Sequence, residues 1–171
     1  RIIPQTSTLE ANLLSGAIDA IGVVGLTFDQ ALALEKRLPE RFEVRFDRAM
    51  HFEHIDVNLD NPILKDKRVR EALLLAADRQ VVVDKLFGGR LEVAHAPEPP
   101  GSLYFNPDVP KRAFDPVKAR ALLDEAGWVQ GEDGIRNKDG ARLSLSLMTT
   151  AGDKLRELVE EILVASWRSV G

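Results

Sequence analysis

Six times along this chain a side chain able to cap a helix stands directly before a stretch with helical apolar spacing, at Ser7, Thr27, Asp66, Asp78, Asp115 and Asp153. Apolar or alternating stretches of strand character fall between them. That alternation restricts the fold to classes in which helices pack on a sheet. Ser7-Thr8-Leu9-Glu10 and Thr27-Phe28-Asp29-Gln30 both have the capping-box form, with a hydroxyl for the third amide and a long polar side chain returning to the cap. The first helix should run through Leu9, Leu13 and Leu14 to Gly16, and the second should stop at Pro39. Asp66 opens a helix with Val69, Leu73 and Ala76 on its apolar face and Ala72 beside them; Asp78 opens another through Val82 and Leu86, closed by Gly88-Gly89. Asp115-Pro116 is a cap with proline in the first turn, followed by the stripe Ala119, Leu122, Leu123 and Ala126 up to Gly127. A last helix after Asp153 carries Leu155, Leu158, Val159, Ile162, Leu163 and Trp167.

The intervening stretches read as strands. Residues 18–24 are β-branched and apolar, 41–46 and 51–59 alternate, and Arg142 to Met148 puts Leu143, Leu145 and Leu147 on one face. Asp133-Gly134 and Asp139-Gly140 are hairpin turn signals. The expectation is one sheet containing 18–24, 52–58 and 142–148, flanked by the helices that start at Asp66 and Asp115. Between Leu91 and Pro110 there is no periodicity, only prolines and the aromatic pair Tyr104-Phe105, which are expected to pack this segment onto the rest.

With 171 residues, one domain is the default; 44% apolar residues and a net charge of −4 describe a globular chain. Apolar runs are far shorter than a membrane span, and neither a basic stripe nor an aromatic platform for nucleic acid is present. The absence of cysteine removes disulfides and thiolate chemistry without fixing a compartment. The first residues read as neither a signal peptide nor a natural start, so the chain is taken as a processed or excised piece.

No catalytic constellation emerges. His51 and His54, three apart on a strand, point to opposite faces and do not make a metal site. The stretch from Asp56 starts like a calcium loop but has Asn61 and Lys67 where glycine and glutamate belong. Gly88-Gly89 is explained as a helix C-cap, and Ser144 and Ser146 lack a nucleophile elbow. The expectation is a protein that is not an enzyme and uses no cofactor or metal.

His51 through Asn58, Asn61-Pro62, Lys67 through Leu73 and Ala77 through Val82 form an ordered series of blocks. It continues with Pro99-Pro100, Tyr104 through Asp108, Phe114-Asp115-Pro116, Ala119 through Trp128, Asp133 through Arg136, and Asp139-Gly140. In residues and spacing this series resembles the family 5 extracellular solute-binding proteins of ABC importers, the receptors for dipeptides, oligopeptides and nickel chelates. The resemblance implies a periplasmic-binding-protein-like α/β lobe (type II, cluster C) with a mixed sheet flanked by helices. Residues 1–171 would form a single partial domain, the first part of the second of two lobes that close on a solute.

It further implies a receptor for peptides or peptide-like solutes, periplasmic or otherwise outside the cytoplasmic membrane, that docks on a membrane permease and has no nucleic-acid partner. The alternative is a ligand-sensing domain of the same fold in a transcription regulator. In peptide-binding relatives the loop after the strand equivalent to 143–148 contacts the solute, often with a cation for the peptide carboxylate. Here that loop is Thr149-Thr150-Ala151-Gly152-Asp153, with no Arg or Tyr. Hydroxyls, amides or a helix N-terminus would have to act, or the loop is only a cap turn. The candidate ligand-binding residues are Thr149, Thr150, Ala151, Gly152, His51 and Phe52.

Overall fold

The computed structural model describes residues 3–22, 25–47 and 52–171, which form two compact units divided after residue 48. In the first unit, α1 (Thr6–Leu14) and α2 (Phe28–Arg37) bury Leu13 and Leu34. Arg37 pairs with Glu10, and Arg41 donates to the Leu14 carbonyl at 2.5 Å, so cations beyond the first helix close its open end. The capping box at Thr27 forms as the sequence predicts: Thr27 accepts from the Gln30 amide and the Gln30 side chain accepts from the Thr27 amide. The box at Ser7 does not form. Leu9 N–H donates to the Gln5 carbonyl, so the helix starts two residues earlier and Ser7 lies inside its first turn.

The second unit is built on α3 (Lys67–Ala76) packed against α5 (Pro116–Glu125). Their contact is lined by small side chains: Val69, Ala72 and Ala76 from one helix and Ala119 from the other are fully buried, which lets the axes approach closely. Leu75, Leu123, Ala126, Trp128 and Val170 complete the core, with Leu73, Leu122, Leu143 and Trp167 half-buried at its edge. The Asp66, Asp78, Asp115 and Asp153 side chains all cap as expected, each accepting a backbone N–H of the helix that follows. Between α3 and α5 runs α4 (Arg79–Phe87), which ends at Gly88, whose φ of 59° is the left-handed conformation that glycine adopts without penalty. The final helix, α6 (Lys154–Arg168), buries only Leu163 fully; Leu158, Ile162 and Trp167 of its predicted stripe stay half-buried.

The sheet differs from the expectation. Among the described residues it is a three-stranded antiparallel meander of β1 (Val129–Gln130), β2 (Arg136–Lys138) and β3 (Ala141–Arg142). The β2–β3 turn is Asp139-Gly140 with φ of 51° and 80°, the double positive φ of a type I′ hairpin. Leu143 adds one more bond, donating to the Arg136 carbonyl at 2.8 Å. Residues 18–22, 52–58 and the rest of 143–148 carry no ladder; Val23, Val24 and His51 lie outside the described residues. A strand has no hydrogen bonds of its own, so alternation specifies its faces and leaves the neighbour unspecified. Phe52, Ile55, Val57, Leu59 and Leu145 are consequently exposed.

The long segment 91–110 also departs from expectation. Tyr104 is 81% and Leu103 98% exposed, and Phe105 is exposed as well, so the aromatic pair does not anchor it. Arg79 does so instead, donating to the Ala94 carbonyl at 2.7 Å and the Arg112 carbonyl at 2.5 Å. One guanidinium thus satisfies backbone at both ends of the segment, and its burial lowers its own pKa.

Candidate functional site

The loop Thr149-Thr150-Ala151-Gly152 is exposed throughout and leads directly into α6. Gly152 turns the chain with φ of 83°, and Asp153 N–H donates to the Thr150 carbonyl at 3.3 Å. Asp153 Oδ1 accepts from the amides of Leu155 and Arg156, each at 3.2 Å, and Glu157 accepts from the Gly152 amide at 2.9 Å. The helix N-terminus is therefore already occupied by carboxylates of this chain, and a solute anion would meet Asp153 there rather than open N–H groups. The loop does form the cap turn that the sequence suggests.

Beside the loop stands a cation the sequence reading passed over. Arg156 donates Nη1 to Thr150 Oγ1 at 3.0 Å and Nη2 to Glu53 Oε1 at 2.9 Å, and its Nε stands 3.6 Å from Asp153. This joins the loop to the extended segment 52–57, about a hundred positions away in the chain. The Glu53 carboxylate accepting its N–H raises the Arg156 pKa further, so the guanidinium carries its charge at every accessible pH. One signal was available: a basic residue in the first turn of a helix opposes the helix dipole, and such a placement asks for a reason.

Phe52 stacks on His54, ring centroids 4.8 Å apart, and His54 Nε2 lies 3.4 Å from Asp56. Residues 52, 54 and 56 thus share one face and Glu53 the other, as an extended segment requires. The structure brings Thr150 into one network with Phe52's neighbour Glu53, while Phe52 itself faces away from that network. His51, the remaining candidate, lies outside the described residues. Two shallow hollows of about 260 and 270 Å³ lie elsewhere: one lined by residues including Ile63, Asp66, Trp128 and Lys138, the other by Lys67, Arg70, Glu71, Leu74 and Arg112. Several of their polar groups are engaged internally, Asp66 by Arg68, Lys138 by the Ala126 carbonyl, and Arg70 by the Leu64 and Lys65 carbonyls.

Among the described residues no cluster of His, Asp and Glu is arranged to hold a metal, and no helix is long and apolar enough to cross a membrane. Two solved structures are most informative for this architecture. The oligopeptide-binding protein of Thermus thermophilus, complexed with a pentapeptide, superposes with TM-score 0.78 at 38% identity, over 100% of this chain and 31% of that one. NikA from Brucella suis in complex with Fe(III)-EDTA gives 0.77 at 27% identity, over 100% and 34%. In sequence, the oligopeptide-binding protein AppA of Bacillus subtilis is 33% identical over 100% of this chain and 31% of its own length. The nickel-binding periplasmic protein of Escherichia coli is 29% identical over 99% and 33%. The chain spans about a third of the length of these relatives. Residues 1–171 match the family of bacterial extracellular solute-binding proteins, family 5 (middle region), and with its α/β architecture and these neighbours the chain belongs to that family.

Proposed function

We infer that this chain is one wall of the solute site in a receptor that takes up peptides or peptide-like molecules outside the cytoplasmic membrane and delivers them to an ABC permease. The observation that carries the reading is the match over the whole chain to a protein that holds a pentapeptide, at 38% identity and with the same course of the backbone. The reading assigns residues 1–171 to the first part of a second lobe and contact with solute to Thr149, Thr150, Ala151, Gly152, His51 and Phe52. Its chemistry is recognition without bond making, in keeping with a family of substrate-binding proteins. An apolar core of α3 and α5 beneath an exposed polar loop suits that task, because the scaffold fixes the loop while the loop stays open to solvent.

The test is calorimetry of the intact receptor carrying this chain against short oligopeptides and against nickel chelates. Saturable peptide binding is the expected result. Binding of metal chelates alone would replace the peptide assignment, and release of a chemically altered peptide would overturn the receptor reading.

A further inference from the structure

Lys67, Arg70, Glu71 and Leu74 stand at helical spacing on α3, on the side turned away from the buried Val69, Ala72 and Ala76. With Arg112 they line the hollow of about 270 Å³. Arg70 Nη1 donates to the Leu64 carbonyl at 2.7 Å and to the Lys65 carbonyl at 2.9 Å, which holds its guanidinium on this face. Arg112 lies 3.7 Å from Glu71, so those two charges offset each other. Lys65 and Lys111 carry positive charge beyond the hollow, one beside Arg70 and the other next to Arg112. Among the described residues, the side chains of Lys65, Lys67 and Lys111 make no hydrogen bond or ion pair, and all three residues are exposed. Five cations thus gather around one carboxylate on a chain whose net charge is −4.

Apolar side chains stand among these cations. Leu74 is 39% exposed, and Phe114, two residues beyond Arg112, is 46% exposed. Asp115 N–H donates to the Leu75 carbonyl at 2.8 Å, which brings Phe114 to the same end of α3. Cations interleaved with exposed apolar groups match a surface on which phosphates overlie hydrocarbon. The lysines are single charges on flexible stems, which suit phosphates that move laterally better than one carboxylate fixed on a protein. We propose that this face of α3 rests on the anionic phospholipid surface of the membrane beside which the receptor works, as a peripheral contact without insertion of a helix. The rest of the chain is acidic, so such a surface attracts this side and repels the remainder, and the contact orients the receptor as well as holding it. The proposal takes from the receptor reading only the place outside the cytoplasmic membrane; lipid and peptide binding are separate measurements, so either can fail without the other.

The test is co-sedimentation of the intact receptor carrying this chain with vesicles at millimolar lipid, made of phosphatidylcholine alone or with about one-third phosphatidylglycerol. Binding is expected only to the anionic vesicles, and it should be lost as salt rises from about 0.1 M to about 0.5 M. Lys67→Glu combined with Lys111→Glu should weaken it about twentyfold or more, at about fivefold for each basic residue near the surface. Lys67→Arg combined with Lys111→Arg keeps the charge and should bind as the parent does. Thermal unfolding checks that the variants are folded; should the reversed variant unfold, Lys67→Gln with Lys111→Gln adds no charge and serves in its place. Equal binding to both kinds of vesicle, binding to neither, or undiminished binding by the charge-altered variant overturns the proposal. If the vesicles are not bound but the same variant loses its hold on the permease in phosphatidylcholine nanodiscs, the face docks on an acidic protein surface and the membrane contact is likewise overturned.

Discussion

Arg136 Nε lies 2.7 Å from the carbonyl oxygen of Val170, 34 residues further along the chain. The same guanidinium donates to the Trp128 carbonyl at 2.6 Å and to Asp124 at 2.5 Å, and its side chain is 2% exposed. A buried cation persists only when its donors are taken up, and here β2 reaches across to close the end of α6 and the turn after α5 together. Arg136 is therefore the polar bolt of an otherwise apolar core.

Replacing that bolt tests the account. Arg136→Met fills much of the volume but leaves the Val170 and Trp128 carbonyls without a donor, each costing about 1–3 kcal/mol, so a loss of about 3 kcal/mol or more is expected. Asp124→Asn retains an acceptor, and Asp124 is 65% exposed, so water can share the vacated place; about 1–2 kcal/mol is expected. Urea unfolding of both variants measures the order, and an Asp124 variant less stable than the Arg136 variant would refute it.

The helices after the first were legible in the sequence because they carry their own evidence: an Asp or Thr cap, a stripe at helical spacing and, for most, a glycine or proline stop; α1, whose cap position is Gln5, starts away from the expected box at Ser7. Asp66, Asp78, Asp115 and Asp153 all cap as their positions indicate. The sheet was legible only at its turns, since the alternation of Arg142 to Met148 and of 52–58 names a face and no partner, whereas Asp133-Gly134 and Asp139-Gly140 carry local signals for the two hairpins that form. Long polar side chains were the other blind spot. Arg79, Arg136 and Arg156 each act over distances of fifteen residues or more, and nothing in their immediate neighbours announces it.

The segment 91–110 gives a direct contrast between the two ways of holding a loop. Arg79→Met removes the donors to the Ala94 and Arg112 carbonyls, and at about 1 kcal/mol for each bond a loss of about 2 kcal/mol is expected. Tyr104→Ser touches a ring that stands in solvent and should change stability by less than about 0.5 kcal/mol. Thermal unfolding of the two variants checks this; a larger cost at Tyr104 than at Arg79 would restore the aromatic anchor suggested by the sequence.

Acid sensitivity should depend in part on Asp66. Its carboxylate accepts from Arg68 Nε and Nη2 and from the Arg68 amide, and the Arg68 side chain, first among these causes, lowers its pKa from 3.8 to about 2. Because the folded value is the lower one, the stabilisation is fully present above pH 3.8 and is lost as the pH falls through about 2. Arg68 also donates to the Glu125 carbonyl, so the pair fastens the start of α3 to the end of α5. Asp66→Asn keeps a cap but not the charge, and should be less stable than the parent by about 1 kcal/mol or less near neutral pH. That difference should shrink between about pH 4 and pH 2; a difference that stays constant over this window would mean that the charge is irrelevant.

The last prediction concerns what this length of chain can bind. The candidate wall is a single loop with Arg156 behind it, and the hollows of the second unit lie away from it. A peptide resting on one wall keeps most of its surface in water, while association still costs on the order of 4 kcal/mol or more in lost translational and rotational freedom. A few exposed contacts, each contributing about 1 kcal/mol, barely offset that cost. The 171-residue chain should therefore bind peptides only in the millimolar range, and the intact receptor, which spans about three times this length in the relatives, should bind them far more tightly. Calorimetry of both against the same peptides decides it: micromolar binding by the short chain would place the principal site within these residues and require contacts beyond the loop at 149–152.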